Sequence, residues 1–522
     1  MKLRATILIA AISGFIALSY EILWYRAFAF VSWGAAPVFG LLLFFYLFGL
    51  ALGSLQSKRL CRDRSKEGQG RRLRDLAILI AIADLVGFLV IPALGRFATH
   101  DWRLSFLLVS LSAGTMGCVL PVVSHYGIEP DDRAGMNLSY VYLANIIGSA
   151  CGSYLTGFVL MDLWSTRAIS GFLALAGLSV VIPLLIASCM AKPRLLASVG
   201  GVVALGVVAM AVSPALFGQL YERLLYKNTF TDETHFVQVV ENRHGVIAVN
   251  KYAQVYGGGA YDGAFNVSLV DDKNVVERAF AVGALHPHPR EVLMIGLSSG
   301  SWAQIVSHLP EVEHLTIVEI NPGYLQLIAQ YPAVASLLKN PKVKIIIDDG
   351  RRWLVRHPES KFDFIVMNTT WHWRAHITNL LSQEFLGLVR AHLNPGGIHY
   401  FNTTSSDEAQ RTAALFFPYA MRVINFIAVS DSPLVFDRGR WGKMLTTMFI
   451  DDIPVLDFTN AHQRDVFTHL MEFADSIDQP YDFHALETRA NVLTRTTGAT
   501  EITDDNMACE WKDPLHFPGA PE

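Results

Sequence analysis

Charge is scarce in this chain. Asp, Glu, Lys and Arg together make up 17% of its 522 residues, below the roughly one quarter usual for soluble domains. The formal charge of −4 gives no basic surface for nucleic acid, so no nucleic-acid partner is expected. Cysteine is rarer still. Cys61, Cys118, Cys151, Cys189 and Cys509 are scattered, without the spacing of a disulfide framework or a metal site, and no metal is expected. The dinucleotide fingerprint of three spaced glycines is also missing, which argues against a nicotinamide site.

What the chain has instead is apolar length. Seven runs approach the roughly 20 apolar residues that cross a bilayer: Ala5–Trp24, Ala36–Leu55, Leu76–Ala98, Leu104–Ser124, Leu138–Met161, Ala168–Met190 and Leu195–Phe217. The first follows Lys2 and Arg4 and is read as a retained helix, because no small-residue cleavage site follows it. Lys58, Arg59, Arg62, Arg64, Lys66, Arg71, Arg72 and Arg74 crowd the loop after the second run. The positive-inside bias puts that loop in the cytoplasm. The expectation is an integral protein of a bacterial inner membrane with the lipid bilayer as a partner. The soluble half is expected on the cytoplasmic side, although seven full crossings from a cytoplasmic N-terminus would put it outside. Gly49-x-x-x-Gly53 and Gly148-x-x-x-Gly152 are close-packing signals, for packing within one bundle or for a homo-oligomer. Asp84 lies inside the third run, where a carboxylate is costly. It is read either as buried and hydrogen-bonded to a neighbouring helix, or shared with Arg96 or Tyr46, or as a transport or proton-relay residue.

The pattern changes after residue 217. The expected organisation is a helical domain over 1–217, a β-rich hairpin region over 218–285 and a Rossmann-like domain over 286–522. Phe236–Val240 and Gly245–Val249 read as a hairpin, Gly257-Gly258-Gly259 as a loop, and 274–285 as a helix. Strands then alternate with helices: Val292–Ile295, His314–Val318, Val343–Ile347, Phe362–Met367 and Ile398–Asn402. That alternation predicts a parallel sheet with covered faces.

In such sheets ligands bind beyond the carboxyl ends of the strands. Gly296, Ser298, Ser299 and Gly300 follow the first strand, where glycine lets backbone approach a ligand. Glu319 ends the second, placed to accept ribose hydroxyls. Asp348, Asp349 and Gly350 end the third, where an adenine amino group could be read. Asn368 and Thr369 end the fourth. The conjunction predicts a nucleoside site for S-adenosylmethionine (SAM) or a close relative.

These residues resemble the catalytic domain of spermidine and spermine synthases, the polyamine aminopropyltransferases. Gly245–Gln254 is similar to the family's Gly-x-x-Leu-x-Leu-Asp-Gly-x-x-Gln segment, one residue shorter, which implies a ligand-binding role for Gln254. Leu381–Phe385 and Leu393–Gly397 resemble the helix and turn after the fourth strand. The apolar half resembles that of membrane-fused spermidine synthase-like proteins. The family implies SAM or decarboxylated SAM as substrate. The departures are equally specific. The family's Gly-Gly-Gly-Asp-Gly-Gly loop is here Gly296-Leu297-Ser298-Ser299-Gly300-Ser301. Its Asp-Ser-Ser-Asp is Asn368-Thr369-Thr370-Trp371.

A sulfonium ligand is already activated, so the protein must align donor and acceptor and supply a base where the acceptor is an ammonium. In place of the aspartates stand Trp371, His372, Trp373, Arg374 and His376. His372 or His376 could act as base, and Arg374 could hold a carboxylate. Asn368, His372, Arg374 and His376 are therefore the catalytic candidates. The expected function is a membrane-anchored transferase. A SAM lyase, cyclase or methyltransferase on the same fold is one alternative, and a non-catalytic nucleoside sensor or transporter is another. Asp504 and Asp505 either close over the pocket or cap a helix, and His286 and His288 read as linker.

Overall fold

The computed structural model describes residues 3–61, 68–368, 371–479 and 484–512. Arg62, Arg64 and Lys66 of the basic loop, and the expected ligand contact Thr369, lie outside these residues. The chain forms two compact units. One holds Met1–His235 with Val240–Val246, the other Phe236–Val239 with Ile247–Phe517.

The first unit is built from helices Leu3–Val31, Pro37–Ser57, Gln69–Ala98, Ser105–Gly127, Ala134–Leu155, Thr166–Ala187 and Lys192–Phe217. Among the described residues these are the seven long and apolar enough to cross a membrane. Both glycine motifs are used inside this bundle. A Cβ on Gly49 or Gly53 would strike the backbone of Ser110 or Gly114. One on Gly148 or Gly152 would strike Ala11 or Phe15. Each motif therefore seats a helix of the same chain at close range. Asp84 is buried and accepts from the Tyr20 hydroxyl at 3.4 Å. Its partner is thus Tyr20, rather than Arg96 or Tyr46, because the first helix crosses the third at that level.

The two ends of the bundle differ. At one end Tyr126 donates to the Leu60 carbonyl at 2.9 Å, and the Arg72 guanidinium lies over its ring at 5.8 Å. At the other end Glu241 meets Arg26 at 3.5 Å. It also accepts from the Tyr221 hydroxyl and the Thr166 N–H, each at 2.8 Å. Residues 240–246 thus sit at the end of the bundle away from Tyr126 and Arg72. The seventh apolar segment, Lys192–Thr229, is the longest of them.

The remaining chain is α/β. Strands β1 (Phe236–Asn242), β2 (Gly245–Asn250), β3 (Gln254–Gly257) and β4 (Ala260–Ala264) form one antiparallel sheet in that order. The glycine run is therefore the turn of a second hairpin rather than an open loop. The larger sheet uses β5 (Glu291–Ile295), β6 (His314–Glu319), β7 (Val343–Ile347), β8 (Phe362–Met367), β9 (Leu393–Asn402), β10 (Tyr419–Val423) and β11 (Phe426–Ser430). A small hairpin, β12 (Phe449–Ile450) and β13 (Ile453–Pro454), stands apart, and β14 (Leu486–Thr488) closes the edge. The order is β14-β10-β11-β9-β8-β5-β6-β7. Strands β9, β8, β5, β6 and β7 are parallel, whereas β11, β10 and β14 run antiparallel. The all-parallel expectation is corrected to a mixed Rossmann-like sheet. The reversal comes from the tight turn at Ile424, whose φ of 60° folds β10 directly back on β11.

The central strands are apolar on both faces, as buried parallel strands must be. Phe385, Leu386 and Val389, on the helix Gln383–Ala391, pack over Leu293, Ile365 and Phe401. Ser382 caps that helix by accepting the Phe385 N–H at 3.2 Å, satisfying one of the unpaired donors at a helix start.

Candidate active site

The carboxyl ends of β5, β6 and β8 bring most of the expected ligand residues together. The chain after β5 turns through Gly296 (φ 89°), Ser298 (φ 50°) and Gly300 (φ 77°). A side chain at Gly296 would crowd the Asn368 carbonyl at 3.3 Å, and one at Gly300 would meet Ile328 at 2.9 Å. The serines hold this loop in place. Ser298 Oγ donates to the Asp262 carbonyl, and Ser299 Oγ lies 3.0 Å from Ser301 Oγ.

Glu319 is buried beneath the loop. It accepts the Leu297 N–H and the Asn321 N–H, each at 2.7 Å. Burial pushes its carboxyl up to about 7, against the lowering effect of those backbone donors. Each oxygen keeps lone-pair capacity for a further donor. The next residue, Ile320, is 52% exposed, an apolar face beside a buried acid that the sequence reading had not singled out.

Asp348 and Asp349 differ in role. Asp348 turns away to Arg352, which donates from Nε at 2.6 Å. Although burial acts to raise its pKa, Arg352 holds it below the ordinary carboxylate range. Asp349 caps the helix Gly350–Arg356 through the Arg352 N–H at 2.7 Å. It also borders a cavity of about 390 Å³ with Arg351, Asn379 and His376. Gly350 leaves no room for a Cβ, which would meet Ile295 at 2.5 Å. Asp504 neither closes a pocket nor caps a helix. It pairs with Arg351 at 2.6 Å and accepts from Ser382 at 2.6 Å.

A second cavity, of about 420 Å³, opens beside Asn368. Its lining includes Tyr261, Asp262, Arg278, Trp371, Asn402 and Thr404. His372 stands behind Thr404, with its N–H 3.0 Å and its Nδ1 2.7 Å from Thr404 Oγ1. Burial lowers its pKa below the usual imidazole value. The candidate imidazoles are therefore separated, His372 by this cavity and His376 by the other, where His376 sits at φ 69°. Gln254 begins β3 and is engaged by Asn250 at 2.7 Å. It lines neither cavity.

Arg374 departs from expectation. It is half-buried and donates to the Gly257 carbonyl at 3.2 Å. The charge it meets is the carboxylate of Asp262, which also accepts from the Tyr324 hydroxyl. Burial raises the Asp262 pKa while Tyr324 and Arg374 oppose that rise. Arg374 thus has partners within the fold. The sequence reading missed Asp262, Tyr324 and Arg278. The one available signal was Arg278, a charge immediately before the apolar run Ala279–Leu285.

The comparisons agree with this architecture. Residues 279–418 match the family model described as spermine/spermidine synthase domain. A polyamine aminopropyltransferase of Desulforudis audaxviator is 30% identical over 168 residues, covering 30% of this chain and 60% of the relative. One of Streptococcus pneumoniae is 34% identical over 116 residues, 22% of this chain and 40% of the relative. Polyamine aminopropyltransferase 2 of Streptomyces coelicolor is 24% identical over 368 residues, 67% of this chain and 65% of that protein. A crystal structure of spermidine synthase in complex with the transition-state analogue AdoDATO aligns over 45% of this chain and 84% of its own, at 15% identity and a TM-score of 0.36. The chain thus spans 40% to 60% of the length of the first curated relatives it matches. The larger sheet is Rossmann-like, and residues 279–418 are similar to the spermine/spermidine synthase domain of polyamine aminopropyltransferases.

Proposed function

We propose that this protein is a SAM-type transferase whose acceptor is not a diamine. The observation that carries the reading is Glu319, buried at the end of β6 with both oxygens aimed by backbone N–H groups. The sheet order then gives the ligand a direction. With ribose at Glu319 on β6, the base lies toward β7, over Ile320 and near Asp349. The sulfonium tail lies toward β5 and β8, at the cavity beside Asn368. Either SAM or decarboxylated SAM meets these requirements as substrate.

A diamine is doubly protonated near neutral pH. One nitrogen must lose a proton and the other must be held as a cation. Asp262 is the one carboxylate among the described lining residues, and Arg374 and Tyr324 already engage it. Arg278 adds a positive charge to the same lining. Burial lowers the His372 pKa, which favours the neutral state a general base requires, and His372 contacts Thr404 of this cavity's lining, whereas His376 borders the other cavity. His372 is therefore our choice of base.

Mass spectrometry of purified protein tests the reading, with SAM and decarboxylated SAM each offered with and without putrescine. Nucleoside turnover without putrescine-dependent spermidine is the expected result. Spermidine formation at ordinary enzyme rates would overturn it.

A further inference from the structure

Four polar side chains around the larger cavity are linked in one direction. Arg278 is buried, its guanidinium 5.7 Å from the Trp302 ring and 5.1 Å from the Phe426 ring. It donates from Nη1 to Oδ1 of Asn425 at 2.6 Å. A guanidinium has no acceptor, so the Asn425 atom facing it must be the oxygen. The Asn425 amide nitrogen then donates to Oδ1 of Asn402 at 3.2 Å. That same oxygen accepts the Thr404 N–H at 2.8 Å, a donor that cannot reverse. Asn402 is therefore oriented by two independent donors. Its nitrogen donates to Oδ1 of Asn368 at 3.3 Å. With its oxygen turned toward Asn402, Asn368 has its Nδ2 donor directed the other way, beside the cavity it lines.

We propose that this chain from Arg278 through Asn425 and Asn402 makes Asn368 a fixed hydrogen-bond donor, so that the cavity selects a ligand bearing a carboxylate of the amino-acid kind. The inference rests on the nucleoside reading above. The family's motif has an aspartate at this position, an acceptor suited to ammonium groups. Replacing it by asparagine alone would leave a group able to rotate and offer either atom. The relay removes that freedom. The guanidinium at its head aligns the amide dipoles with their positive ends toward the cavity, and linked hydrogen bonds polarise one another. An ammonium would face a donor there and make no hydrogen bond, whereas a carboxylate oxygen would accept one. Among these ligands SAM has the carboxylate and decarboxylated SAM does not.

Calorimetric titration of the full-length protein separates the two levels of the argument. Methylthioadenosine has neither carboxylate nor amine, so it reports the nucleoside site alone. If it does not bind, the nucleoside reading falls and this inference with it. If it binds, SAM should bind at least tenfold more tightly than decarboxylated SAM. Equal or reversed affinities would overturn the carboxylate selection while leaving the nucleoside site standing. Asn402→Asp replaces the donor facing Asn368 by an oxygen, which turns the Asn368 nitrogen inward and its oxygen toward the ligand. The SAM preference should then fall at least tenfold, in protein whose thermal melt shows it folded. Asn368→Ala makes the same test without adding charge and should bring the two affinities together. A SAM preference that persists in either folded variant overturns the proposal.

Discussion

At the residue scale, Glu319 shows how one buried carboxyl links stability to ligand binding. Its folded pKa of about 7 lies above the ordinary value of 4.5 because burial disfavours the charge. For an acid shifted upward, the stabilising contribution is full below the unfolded pKa and is lost as pH rises through the folded one. The ligand-free protein should therefore lose thermal stability from Glu319 between about pH 4.5 and 7, and Glu319→Gln should flatten that slope in melts recorded across the window. Ligand binding has the opposite requirement, since an ionised carboxylate accepts ribose hydroxyls more strongly. Methylthioadenosine affinity should rise over the same window. Glu319→Ala should lower that affinity at least tenfold, because each charge-assisted hydrogen bond is worth about 1.5–3 kcal/mol. Calorimetry showing unchanged affinity would remove Glu319 from the site.

The turn after β5 is the element on which the site depends. Gly300 has φ 77°, and an added Cβ would meet Ile328 at 2.9 Å and Leu337 at 3.3 Å. Gly498 has a similar φ, 88°, but nothing lies within 4 Å of its Cβ position. Comparing the two separates backbone strain from crowding. Gly498→Ala should cost about 1 kcal/mol, the strain of positive φ alone. Gly300→Ala should cost a further 1–3 kcal/mol or so for overpacking, and should weaken nucleoside binding because the loop carrying Leu297 shifts. Chemical denaturation of both variants provides the check. The β10–β11 hairpin is the other decisive element. It brings Asn425 beside Asn402, through the pairing of Phe426 with Asn402.

At the scale of the whole molecule the question is which side each part faces. Among the described residues seven helices are long and apolar enough to cross a membrane, and residues 240–246 lie at the bundle end away from Tyr126 and Arg72. We expect accessible tags in the Lys58–Arg74 loop and at Glu522 to report from opposite sides of the membrane. Labelling of single introduced cysteines in intact and permeabilised cells measures this, and identical labelling of both sites would show that one helix does not cross. The positive-inside bias places the basic loop in the cytoplasm, whereas a SAM-type substrate would be drawn from the cytoplasm by the other half. The labelling result decides which of these two arguments holds.

The sequence by itself determined whatever depends on local pattern. Apolar runs located all seven long helices, although the ends of the first, third and fifth differ from the runs by six or seven residues. Residues 343–347 and 362–367 were placed at their observed bounds, because a short apolar stretch between turn residues has few other conformations in a covered sheet. Glycine spacing and the acids at strand ends pointed to the cluster at the carboxyl ends of β5, β6 and β8 by the same logic, since strand ends converge wherever strands alternate with helices. What the tertiary structure alone decided is which polar groups were already engaged. Arg374 read as available until the fold set it against Asp262, 112 residues earlier in the chain. Asn368 read as a simple loss of charge until Arg278, Asn425 and Asn402 were aligned behind it. Hydrogen-bond direction is a property of neighbours in space. Residues drawn from a helix, a hairpin turn and two strand ends carry no shared period from which the sequence could reveal it.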